Sequence, residues 1–96
     1  MKKVAEEVGG LLVDAEHRFY GESQPFEGTM LENFGKIEQN GYLTSWQALA
    51  DYATLISHLK SSKPGAEKSP VIAYGGSYGG MLSAWMRVKY PHLIDG

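Results

Sequence analysis

The chain has 96 residues, with 9 Lys and Arg against 11 Asp and Glu, 3 His and no Cys, for a formal net charge of -2. That balance leaves no basic surface to release phosphate counterions, which argues against nucleic-acid binding, and no apolar run approaches the roughly 20 residues that span a bilayer. The absence of cysteine removes a disulfide framework, a thiolate metal site and a cysteine nucleophile together, while 43% apolar residues is the composition of one folding unit.

The first ten residues, MKKVAEEVGG, carry two lysines, but Glu6 and Glu7 interrupt the apolar stretch that a secretory leader needs, so no targeting segment is read there. Leu11 to Ala15 is a short apolar run after Gly9-Gly10 and predicts a strand buried on both faces, with Asp14 as a buried polar group. The run ends in Glu16 to Ser23, and from there to Gly41 neither period is kept, which predicts a long loop. Trp46, Leu49, Ala50, Ala53, Ile56 and Leu59 recur at spacings of 3 and 4 and predict a helix over 44–61, opened by a Thr44/Gln47 capping box and stopped by Pro64-Gly65. Val71 to Tyr74 reads as a second buried strand. Met81 to Tyr90 reads as a helix ended by Pro91, and Trp46 and Trp85, on the apolar stripes of their helices, are expected in the core. The order strand, loop, helix, strand, helix predicts an α/β class with parallel strands joined by right-handed crossover helices.

Gly75-Gly76-Ser77-Tyr78-Gly79 matches G-x-S-x-G between a predicted strand and a predicted helix, the context of a nucleophile elbow. In such a turn the serine is strained and exposed, glycines at 75, 79 and 80 avoid collision with the neighbouring backbone, and the helix N-terminus favours developing negative charge. Ser77 is the candidate nucleophile and the Tyr78 backbone N–H one candidate oxyanion donor. A P-loop reading fails because Met81 follows Gly80 where Lys is needed, and a dinucleotide fingerprint fails because Ser77 stands where Gly is needed.

A serine hydroxyl needs a general base. His92 follows a helix of about 12 residues, roughly 18 Å from the elbow at 1.5 Å per residue, which rules it out. His58 lies near a helix C-terminus, where interaction with the dipole is its ordinary role. His17 follows the carboxyl end of the first predicted strand, on the edge where ligands bind. In this chain order, however, the acid and base come after the serine, and Asp95 is the sole acid after Ser77. The triad Asp and His are therefore expected outside these residues. Glu16 and Arg18 are expected to act as structural clasps beside the loop rather than as substrate anchors.

The runs Val4 to Glu7, Leu11 to Val13, Ala15 to Ser23, Gln47 to Asp51, Gly75 to Met81 and Lys89 to His92 resemble the family of proline-specific serine exopeptidases that includes lysosomal Pro-X carboxypeptidase and dipeptidyl-peptidase II. The resemblance implies an α/β-hydrolase fold, with residues 1–96 as the N-terminal part of a catalytic domain that lacks the cap and the triad Asp and His. It implies a serine-type exopeptidase, the carboxypeptidase that removes the residue after proline being favoured over a dipeptidyl-peptidase II-like activity or a catalytically dead fragment. The implied partner is a peptide with proline next to the cleaved bond; neither cofactor nor metal is implied. Lysosomal or secreted residence is implied, and a homodimeric parent is left open. Only Ser77 and the Tyr78 amide carry over as catalytic. Rival readings are an esterase or lipase sharing the elbow and a non-catalytic remnant, and the isolated chain is expected to be inactive and prone to aggregate, since it leaves apolar faces uncovered.

Overall fold

The computed structural model describes residues 1–34 and 44–96. Its helices are α1 (Lys2–Val8), α2 (Met30–Phe34), α3 (Ser45–Ser62) and α4 (Tyr78–Lys89). Helix α1 buries none of its residues and ends at Gly9, whose left-handed φ of 64° turns the chain while the amides of Gly9 and Gly10 close onto the carbonyls of Glu6 and Ala5.

The helix expected over 44–61 is present as α3. Thr44, with extended φ of -129°, accepts the Gln47 amide at 3.2 Å, and its hydroxyl donates to Gln47 Oε1 at 3.0 Å. At the other end the Lys63 amide donates to the Leu59 carbonyl, and Pro64 prevents another turn. The core is the seam between α3 and α4: Leu49 and Ala53 from one helix, Leu82 and Met86 from the other, with Ile94 brought back over them by the turn after α4. The amides of Leu93 and Ile94 both donate to the Tyr90 carbonyl, which sets that return. Leu49 is fully buried at this seam, so Leu49→Ala is expected to cost about 2–4 kcal/mol, read as a lowered denaturation midpoint.

The α/β expectation is overturned. Among the described residues there is no strand and no sheet. Apolar, β-prone residues make a strand only when a neighbouring backbone takes up their N–H and C=O groups. Among the described residues, 71–73 pair only with Asp95 and Gly96: the Ala73 amide donates to the Gly96 carbonyl at 2.8 Å, the Asp95 amide to the Val71 carbonyl at 2.8 Å, and the Val71 amide to Asp95 Oδ2 at 2.8 Å. Residues 11–15 gain no backbone hydrogen bond among the described residues. Parts of the two runs instead line a cavity of about 370 Å³, Val13, Asp14 and Ala15 from one and Val71, Ala73 and Tyr74 from the other, with Tyr52 and Ile56 of α3 and Leu82 and Met86 of α4 among its other lining residues. Leu11 and Val13 are correspondingly exposed, and so is Asp14, which is not a buried polar group.

Two further expectations change. Trp46 is 56% exposed and lies outside the core, its ring 6.2 Å from that of Trp85 and the Lys89 ammonium 4.4 Å above it, so it covers the seam's rim through stacking and a cation–π contact. The expected loop from 24 to 41 contains a helix, α2, and its part from 35 to 41 lies outside the described residues. Thr29 and Glu32 start α2 as a capping box: the Thr29 amide donates to Glu32 Oε2 at 2.7 Å and the Glu32 amide to Thr29 Oγ1 at 3.4 Å. The spacing Thr29-x-x-Glu32 is in the sequence and was the signal for this helix. Buried Asn33 then donates to Gln24 Oε1 at 2.9 Å and to the Phe26 carbonyl at 3.3 Å, tying the segment to itself.

Candidate functional site

The helix expected from Met81 begins at Tyr78, three residues earlier, and Ser77 is its N-cap with φ 52° and ψ -124°. That conformation is sparsely populated for any residue with a side chain and costs on the order of 1–3 kcal/mol. An N-cap serine ordinarily spends its hydroxyl on the helix amides. The Ser77 hydroxyl makes no such bond, while its carbonyl accepts the Met81 amide at 3.1 Å. Ser77 is exposed, at the positive end of a 12-residue helix.

The glycines divide the steric work unequally. A Cβ at Gly75 would collide with the Gly79 carbonyl and approach the Gly80 nitrogen to 2.8 Å, and one at Gly80 would stand 3.1 Å from the Gly75 carbonyl oxygen. At Gly79, expected to share this demand, a Cβ meets nothing within 4 Å. The close approach is between 75 and 79–80, and the side-chain-free positions it requires are 75 and 80.

Tyr78, the first residue of α4, reaches residues 61 positions earlier. Its hydroxyl lies 3.1 Å from His17 Nε2, and the two rings sit 5.7 Å apart. His17 Nδ1 is 2.7 Å from the Arg18 carbonyl oxygen, and Tyr20 packs edge-on against the imidazole at 4.9 Å. Burial, then the neighbouring Tyr20, push the Tyr78 phenol up from its ordinary value, so it stays protonated. Burial likewise raises the Tyr52 phenol, with Tyr78, Asp51 and Asp14 adding to the effect.

The residues flanking His17 are clasps, as their charge and position suggested, but each holds a different element. Arg18 Nε and Nη2 donate to the two carboxylate oxygens of Asp51 on α3, both at 2.6 Å. This two-pronged bond raises the guanidinium above its ordinary value. Partly exposed, it contributes about 1 kcal/mol at most. Glu16 Oε2 accepts the Ser23 amide at 2.8 Å and the Glu22 amide at 3.2 Å. The Ser23 side chain, then these amides, hold the Glu16 carboxyl below its ordinary value against an opposing desolvation. Between the clasps Phe19 is fully buried with φ 71°, its amide donating to the Ser23 carbonyl at 2.7 Å. A bulky residue keeps a left-handed backbone only when its surroundings over-determine it.

Of the other histidines, His58 and His92 are exposed on the far ends of α3 and α4. Among the described residues the Ser77 hydroxyl has no hydrogen-bond partner, and no group of three or more His, Asp or Glu could hold a metal ion. The site thus joins a strained, exposed serine at a helix start to an aromatic and imidazole wall. The wall was not legible in the sequence beyond the nearness of His17 to an active edge, because the Tyr78 contact spans 61 positions.

The chain is similar over all 96 residues to the lysosomal Pro-X carboxypeptidase of Homo sapiens, at 58% identity, and spans 19% of that protein's length. It is 55% identical over its whole length to "Prolyl carboxy peptidase like protein 5" of Caenorhabditis elegans, spanning 18% of it. It is 42% identical over 86 residues to the thymus-specific serine protease of Mus musculus, which covers 90% of this chain and 16% of that protein. No helix among the described residues is long and apolar enough to cross a membrane. With the family model for serine carboxypeptidase S28 matching residues 1–96 from end to end, the chain belongs to the S28 serine peptidases.

Proposed function

We propose that this chain is the nucleophile-bearing part of a lysosomal carboxypeptidase that cleaves after proline, with Ser77 as nucleophile and the Tyr78 amide as one oxyanion donor. The observation that carries it is Ser77 itself: a strained backbone at a helix start, with the hydroxyl left uncommitted and exposed. The names and high identity of the Pro-X carboxypeptidase relatives support the substrate class and the compartment. In this reading the Ser77 Oγ attacks the carbonyl carbon of the proline that precedes the C-terminal residue. A histidine from outside these 96 residues takes the hydroxyl proton and passes it to the leaving amine, and water then releases the acyl group. The Tyr78 N–H and the end of α4 stabilise the oxyanion.

The test uses a full-length protein carrying this segment and two peptides: one N-blocked and ending in Pro-Xaa, the other with a free N-terminus and a Xaa-Pro-reporter. Release of the C-terminal residue from the blocked peptide is expected. Cleavage of the second peptide alone would replace this reading by a dipeptidyl-peptidase.

A further inference from the structure

His17 is held more firmly than a half-buried loop residue needs to be. Its Nδ1 faces the Arg18 carbonyl at 2.7 Å. A carbonyl only accepts, so Nδ1 carries the proton. In the neutral ring Nε2 is then an acceptor, and the Tyr78 hydroxyl donates to it over 3.1 Å. Both ring nitrogens are thereby committed, which leaves no lone pair for taking a proton from Ser77. The backbone on either side is fixed as well, by Glu16 on the amides of Glu22 and Ser23 and by Arg18 on Asp51 of α3. Tyr20, edge-on at 4.9 Å, closes the remaining side.

A solvent-exposed hydrogen bond between residues 61 apart adds little to stability, but one of ordinary net strength biases a side chain toward one rotamer about five-fold. The rotamer in question belongs to the residue immediately after Ser77. We propose that His17 is a positioning residue for the nucleophile turn: by accepting from the Tyr78 hydroxyl it fixes the Tyr78 side chain and with it the peptide unit between Ser77 and Tyr78. The inference rests on the reading of Ser77 as nucleophile and of the Tyr78 N–H as oxyanion donor. The protonated Tyr78 phenol is the state this donation needs.

The test compares Tyr78→Phe, His17→Phe and the double variant in a full-length protein carrying this segment. Phenylalanine keeps a ring at each position, so packing against Tyr20 is retained while the hydrogen bond is lost. Each single variant is expected to lower kcat roughly ten-fold with KM within about two-fold, and the double variant to fall no further than the singles, because one bond is lost in all three. Unchanged kcat in the singles, effects that multiply in the double, or a loss that lies wholly in KM would overturn the positioning role. A fluorophosphonate probe run in parallel separates the two ideas. Probe attachment to Ser77 of the unsubstituted protein with no His17–Tyr78 coupling overturns this inference alone, whereas no attachment overturns the nucleophile reading and this inference with it.

Discussion

Ser77→Gly is expected to make the protein more stable and to abolish its peptidase activity in the same step. At φ 52° and ψ -124° a side-chain-bearing residue carries about 1–3 kcal/mol of strain. Glycine removes that strain and loses about 0.5–1 kcal/mol through its freer unfolded chain, so a net gain on the order of 1 kcal/mol is expected in the denaturation midpoint. Ser77→Ala keeps the Cβ and therefore the strain, and should leave the midpoint where it was. Both variants lack the hydroxyl, so kcat should fall in each by about 10⁶-fold, the usual consequence of removing a serine nucleophile. The pair separates backbone from chemistry. If alanine stabilised as much as glycine, the strain would not lie in the backbone of residue 77.

Gly75→Ala is the second large effect. The added methyl meets the Gly79 carbonyl and the Gly80 nitrogen, which are backbone atoms of a helix end and cannot rotate away as a side chain would. The turn must open, at a cost of about 1–3 kcal/mol. Displacing Ser77 by an ångström should lower kcat by a further 10²-fold or so. Gly79→Ala, two residues beyond the serine, points into open space and lies inside α4, so it should stabilise by about 0.5–1 kcal/mol through helix propensity. Melting curves of the two variants side by side test the geometry directly. Equal destabilisation by both would mean that the approach of residue 75 to residues 79–80 is not what the turn depends on.

Helices α3 and α4 were legible because their signals are local, whereas α2 fell in a stretch expected to be loop. The Thr44/Gln47 pair and the spacing through Leu59 mark α3, and Pro91 marks the end of α4. The same kind of signal, Thr29 with Glu32, marks α2. The two apolar runs at 11–15 and 71–74 have the composition of buried strands, yet composition states only that a backbone could pair. Whether it does depends on a neighbour, and among the described residues Val71 and Ala73 find only Asp95 and Gly96. Trp46 sat on an apolar stripe without being core, because a helix rim also shows that spacing and an aromatic ring there can be covered by Lys89 instead of by protein interior. At the site, the glycine pattern and Ser77 were readable from motif and context. The inequality between Gly75 and Gly79, and the contact from Tyr78 to His17, are matters of three-dimensional approach that no spacing encodes.

The Arg18–Asp51 pair closes a ring of chain across a separation of 33 residues. Loop-closure entropy grows only with the logarithm of length, so lengthening such a ring by half costs about 0.4 kcal/mol. Insertions or deletions between the two anchors are therefore cheap in closure entropy. The guanidinium–carboxylate fork thus ties the backbone beside His17 to α3 at a closure cost that depends only weakly on how much chain lies between.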